Sequence, residues 1–120
     1  MAIRLSTAQQ KRRKERLGSG APRMVCFNRS ELGAILNTYS RMVAAGKWRD
    51  YSISHMSRAA VFSVFRHSAE QPLYRIEKRP ASGDESDTYV VIGMDQRILR
   101  RGNDLNQVMG LFARQLFRIV

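Results

Sequence analysis

The sequence predicts an α+β fold, an antiparallel five-stranded meander flanked by an N-terminal and a C-terminal helix packed on one sheet face. Three observations predict it. Two segments place apolar residues at spacings of three and four, the stretch between them alternates with a period of two, and the links inside that stretch are short. Short links favour antiparallel neighbours, because parallel strands need crossovers of a dozen or more residues. Two one-sided helices beside one antiparallel sheet bury their stripes most economically on the same face, leaving the other face to water or a partner.

The first helix is predicted over about residues 29 to 45. Asn28 followed by Glu31 is a capping-box pattern, in which the Asn side chain takes an orphan helix amide and the Glu reaches back. Leu32, Ile35, Leu36, Tyr39, Met42 and Val43 then fall on one face, and Gly46 can enter the left-handed region past the last turn. Five strands follow in "YSISH", "AAVFSVFRH", "LYRIEK", "TYVVIGM" and "RILR", joined by "SAEQP", "RPASGDESD" and "MDQ". The second helix is predicted from Asp104 and Gln107, another capping-box pattern, with Leu105, Val108, Phe112, Leu116 and Ile119 as its stripe and Met109 beside it.

A chain of 120 residues with 43% apolar and 26% charged residues suits one globular domain. The boundary is expected near Arg23, with residues 1–23 a flexible basic arm and 24–120 a single α+β domain. "LGSGAPR" has the Gly, Ser and Pro content of a linker, and the stretch before it lacks an apolar stripe. Net charge is +11, and the arm has seven cations against Glu15 alone, so more than half of the excess lies in under a fifth of the chain. The remainder has fourteen cations and nine acids.

No apolar run approaches the roughly 20 residues of a spanning helix, so no membrane partner is expected. Met1 to Leu5 is not followed by a continuous apolar segment, so no secretory signal is expected either. One cysteine, Cys26, cannot form an internal disulfide, which together points to the cytoplasm.

Catalysis finds little support. His55 and His67 sit in or at the ends of predicted strands without the neighbours of a zinc site or a triad, and read as structural or surface residues. Cys26 has Arg23 and a helix start nearby, yet no base, and reads as a buried inert thiol. Asp84, Glu85 and Asp87 lack the ordered ligand spacing of a calcium loop. No enzyme, metal or cofactor is expected.

The basic groups are the informative ones. Lys11, Arg12, Arg13, Lys14 and Arg16 form the arm's cluster, and Arg66, Arg75, Lys78, Arg79, Arg97, Arg100 and Arg101 are spread over the body. Alternation directs Arg75 away from Tyr74 and Ile76, onto the face the helices leave uncovered, while Arg100 and Arg101 lie at a strand exit. Trp48 between Lys47 and Arg49 has two readings. It stacks on a base while its neighbours hold phosphates, or it packs the corner between helix and sheet. Excess charge without local acids to neutralise it favours an anionic polymer through counterion release. The expectation is a non-catalytic nucleic-acid-binding accessory protein, DNA or RNA, contacting phosphates through Lys11, Arg12, Arg13, Lys14, Arg16, Lys47, Trp48, Arg49, Arg75, Lys78, Arg79, Arg100 and Arg101. The alternative is an adaptor for an acidic protein surface, with a homodimer as one form.

At "FNRSELGAILNTYSRMVAAGKWRDYSISH", "AVFSVFRHSAEQPLYRIEK" and "LRRGNDLNQVMGLF" the chain resembles a family of small basic alphaproteobacterial proteins known as a domain of unknown function. The resemblance covers about residues 24 to 118 and leaves the arm outside. It implies a bacterial cytoplasmic setting, and no activity, substrate or site residues. The element order is also similar to that of double-stranded-RNA-binding domains, but those have three strands and a lysine cluster opening the second helix, where "DLNQVMGLF" begins with an acid.

Overall fold

The computed structural model describes residues 24–67, 71–81 and 86–117. The basic arm, residues 1–23, lies outside the described residues, as do Asp84, Glu85 and Ile119. Helix α1 (Arg29–Ala44) is followed by β1 (Asp50–His55), β2 (Ala60–Phe65), β3 (Tyr74–Arg79), β4 (Thr88–Gly93) and β5 (Ile98–Gly102), and then by helix α2 (Leu105–Phe117). The strands form one sheet in the order β1-β2-β3-β4-β5, every neighbouring pair antiparallel. The predicted α+β meander with a helix before and a helix after it is the fold of the molecule.

Local chemistry explains where α1 begins and ends. The Asn28 side chain accepts from the Glu31 amide at 2.8 Å, and Glu31 accepts in return from the Asn28 amide at 2.7 Å, so both halves of the capping box are made. At the other end Gly46 adopts φ +75°, the left-handed conformation that suits a residue without Cβ. Its amide donates to Val43, and the Lys47 amide donates to Met42, which satisfies carbonyls the helix itself leaves open. At α2 the Asp104 carboxylate accepts from the amides of Asn106 and Gln107.

Register decides what each face of the sheet holds. Ile53, Phe62, Ile76, Val91 and Arg100 stand opposite one another across the five strands. This row faces the helices: Phe62, Ile76 and Val91 are fully buried with Ile35 and Met42 of α1 and Val108 and Phe112 of α2, and Arg100 reaches α2 itself. Tyr39 of α1 meets Tyr51 edge-on at 4.8 Å, and Tyr51 stacks on Phe62 at 4.8 Å. Phe112 of α2 meets Tyr74 edge-on at 5.0 Å. Both helices thus share one face, with α1 toward β1 and β2 and α2 toward the later strands. Val43, predicted in the α1 stripe, falls on its margin and is exposed.

The opposite face departs from expectation. Alternation predicts a polar surface there, and Ser52, Ser63 and Arg75 conform, but Val61, Val90 and Ile92 are buried on that side too. The reason is written in β4, where Val90, Val91 and Ile92 run without a polar break, the pattern of a strand buried on both faces. A register shift between Val91 and Ile92 then pairs Ile92 with Ile98, and Ile98 and Leu99 remain exposed on the edge strand.

Candidate nucleic-acid interface

The meander sorts the cations into two ends of the sheet. One end gathers the start of β1, the end of β2 and the start of β3, and holds Lys47, Arg49, Arg66 and Arg75. The other holds Lys78, Arg79, Arg100 and Arg101. On β3 alone, Arg75 and Arg79 share a face but stand about 13 Å apart, at roughly 3.3 Å of rise per residue. The predicted site residues therefore do not form one patch.

Lys78 leaves the candidate set. It lies on the helix side of the sheet, its ammonium 2.8 Å from Glu31 Oε1, and donates at 2.9 Å to the Cys26 carbonyl, with Asp87 at 3.8 Å. Both side chains of the Lys78–Glu31 pair are largely buried. Tyr89 completes the cluster by donating its hydroxyl to Glu31 Oε2. Burial alone would raise the Glu31 carboxyl; hydrogen bonds from Lys78, Tyr89 and the Asn28 amide, with the Lys78 charge, outweigh it and hold the group below its ordinary value. Burial pushes the Tyr89 hydroxyl up, and the carboxylate beside it adds to the rise. A lysine so engaged has no charge to spare for a phosphate.

Trp48 leaves as well. Only 3% of its surface is exposed, and it packs edge-on against Phe112 at 4.9 Å and beside Tyr74. No face of the indole is open to a base, so of its two sequence readings the packing of the helix-to-sheet corner holds. Arg79 is tied to Glu77 on its own strand at 3.1 Å, and Arg75 donates to Gln96 at 2.6 Å. Arg100 faces the helices and donates to the Gln107 carbonyl at 3.0 Å, next to Gly110, where no side chain blocks it.

Of the body cations singled out in the sequence, Lys47, Arg49, Arg66 and Arg101 differ in having neither an ion pair nor a side-chain hydrogen bond among the described residues. Arg101 pairs in register with Val90 on the face away from the helices. Together with Gly102, Gln107 and Val108, Arg100 and Arg101 line an open hollow of about 430 Å³. The other three line a second hollow of about 430 Å³ with His67, between the end of α1 and the end of β2. Sequence reasoning left Arg66 among scattered charges and His67 among structural residues. The signal that brings them in is hairpin register: Asp50 pairs with Phe65, so Arg66 and Arg49 are next-door neighbours across the strand ends, and the Arg49 amide donates to the Phe65 carbonyl at 2.8 Å.

His55 is buried at the end of β1, and Cys26 is half-exposed rather than buried, its Sγ 3.9 Å from the Met24 carbonyl. Asp87 accepts from the Ala81 amide at 2.8 Å. Among the described residues no three His, Cys, Asp or Glu side chains gather as a metal site would require. Among the same residues no helix is long and apolar enough to cross a membrane.

Fold and site define a small α+β protein with a one-sided helical layer and unpaired cations at both ends of its sheet. The chain belongs to the family described as "Protein of unknown function (DUF2794)", whose pattern matches residues 25–109. No curated protein and no solved structure matches it.

Proposed function

We propose that the protein is a non-catalytic nucleic-acid-binding accessory protein of the bacterial cytoplasm, of the alphaproteobacterial kind that the resemblance implies. The observation that carries this reading is that most described cations, Lys47, Arg49, Arg66 and Arg101 among them, are left without an ion pair after folding, on a chain whose net charge is +11. Such a body gains by releasing the counterions of a polyanion. Lys11, Arg12, Arg13, Lys14 and Arg16 add phosphate contacts that carry no sequence information, and Arg75, Arg79, Arg100 and Arg101 set the docked orientation.

The test is a salt titration of the full chain against duplex DNA, single-stranded DNA and structured RNA, repeated with the five arm cations changed to Gln. A steep logarithmic salt dependence is expected, becoming shallower by about 4.5 on duplex DNA when the five arm charges go, at roughly 0.9 per phosphate contact. Flat or absent binding to all three polymers overturns the reading.

One observation favours a second reading, an adaptor that meets an acidic protein or a second copy of the chain. Met94, Ile98 and Leu99 are exposed along the edge strand and its turn, where a polar edge would resist pairing with another chain. Concentration-dependent association in sedimentation, with no nucleic-acid binding, supports that alternative.

A further inference from the structure

The hollow between the end of α1 and the end of β2 is the most sharply defined feature among the unpaired cations. It is lined by Val43, Gly46 and Trp48 and, from two separate segments, by Lys47, Arg49, Arg66 and His67. No described acidic residue lines it. Backbone hydrogen bonds hold its framework. The Lys47 and Trp48 amides both donate to the Met42 carbonyl, the Arg49 amide donates to Phe65, and the Arg49 carbonyl accepts from the Tyr39 hydroxyl at 2.9 Å. The main chain under the basic side chains is therefore anchored on both sides, and Trp48 is locked into the core beneath them.

We infer that this hollow is a phosphate subsite, in which Arg49 and Arg66 grip one backbone phosphate of a single-stranded nucleic acid and Lys47 supplies a third positive charge. The planar forks of two arginines at neighbouring strand ends suit bidentate contact with a phosphate, as lysine point charges alone do not. A helix carboxyl end contributes a partial negative charge of about half an electron, which opposes an anion. Three full cations outweigh that, and the carbonyls of Arg41, Val43 and Met42 are already taken by the amides of Ala45, Gly46 and Lys47. A solvated surface charge group has no reason to converge from two elements on one concavity. A lone cation capping α1 would need Lys47 and not Arg66.

The polymer rests on the nucleic-acid reading above, whereas the phosphate contact rests on the hollow alone, and the experiment separates the two. The full chain is titrated with a twelve-nucleotide oligothymidylate at several salt concentrations, as wild type, as R49Q/R66Q, and as R29Q/R114Q, which removes two exposed cations outside the hollow. Loss of both forks is expected to weaken binding about tenfold and to lower the salt slope by roughly 0.7, the value for one phosphate on a single strand. The outside pair is expected to change the slope by less than half of that. Equal losses from both pairs, or none from R49Q/R66Q, overturn the subsite while leaving the nucleic-acid reading standing. Should wild type not bind the oligonucleotide at all, the single-strand assignment falls and inorganic pyrophosphate decides the subsite. Amide shifts at Gly46, Lys47, Arg49 and Arg66 in wild type, absent in R49Q/R66Q, uphold it, and their absence in wild type overturns it.

Discussion

Glu31 does two things at once: one carboxylate oxygen closes the capping box of α1 and holds the Lys78 ammonium, while the other accepts the Tyr89 hydroxyl. Removing one member of a buried ion pair leaves its partner charged and poorly solvated, at a cost of about 3–5 kcal/mol. Lys78→Met is therefore expected to lower stability by that order at neutral pH, measured by urea denaturation. The folded Glu31 carboxyl sits below its ordinary value of 4.5. Its contribution is thus complete above that pH and is lost as pH falls through the lower folded value. The difference between wild type and Lys78→Met should shrink on acidification below 4.5. A constant difference would show that the lysine acts through packing alone. By contrast, Arg97–Asp95 at 3.5 Å is exposed on both sides and contributes little.

At the scale of elements, α1 was legible at both ends because its signals are local: Asn28 and Glu31 are three residues apart, and Gly46 follows the last turn. Asn28→Ala removes the side-chain acceptor for the Glu31 amide and is expected to lower the thermal midpoint by an amount corresponding to about 1 kcal/mol. Unchanged melting would mean that Lys78 and Tyr89 hold Glu31 in place without the cap. Strand boundaries were legible from alternation and turns, and β4 carries in its unbroken Val90, Val91 and Ile92 the sign that it is buried on both sides. That sign conflicts with a sheet open on one face, and the structure resolves the conflict in favour of β4. The tight turn after β4 could be read as short, but not that Gln96 would enter the left-handed region at φ 69° and offer its side chain to Arg75.

For the whole molecule, the order of the sheet has a measurable consequence. Inner strands β2, β3 and β4 are paired on both sides, whereas β1 and β5 each have one neighbour. Amide exchange should accordingly be slowest in Phe62, Ile76 and Val91 and their strand neighbours. It should be faster at Ser54 and Leu99, on the edges, where opening exposes less apolar surface. Equal protection of β5 and β3 would indicate that another chain pairs with the edge, which is the adaptor reading. The charge distribution operates at the same scale. Register sends cations to both ends of the sheet, and only the end beside α1 collects Lys47, Arg49 and Arg66 around one hollow. Of the predicted body residues, Lys47, Arg49 and Arg101 keep their charge available, whereas the Lys78 charge is paired with Glu31 and the Trp48 indole is buried.

By itself the sequence determined the kind, order and direction of the elements and the surplus of positive charge, because periodicity, caps, short turns and composition act over a few residues or over none at all. Tertiary structure decided which cations remain for a partner. Lys78 is spent on Glu31, 47 positions away, and Tyr89 reaches the same carboxylate across 58 positions. Arg66 joins Arg49 only because two strands pair in one particular register. A side chain's charge is available or not according to the groups that folding places against it, and neighbours that far apart in the chain leave no mark on local pattern.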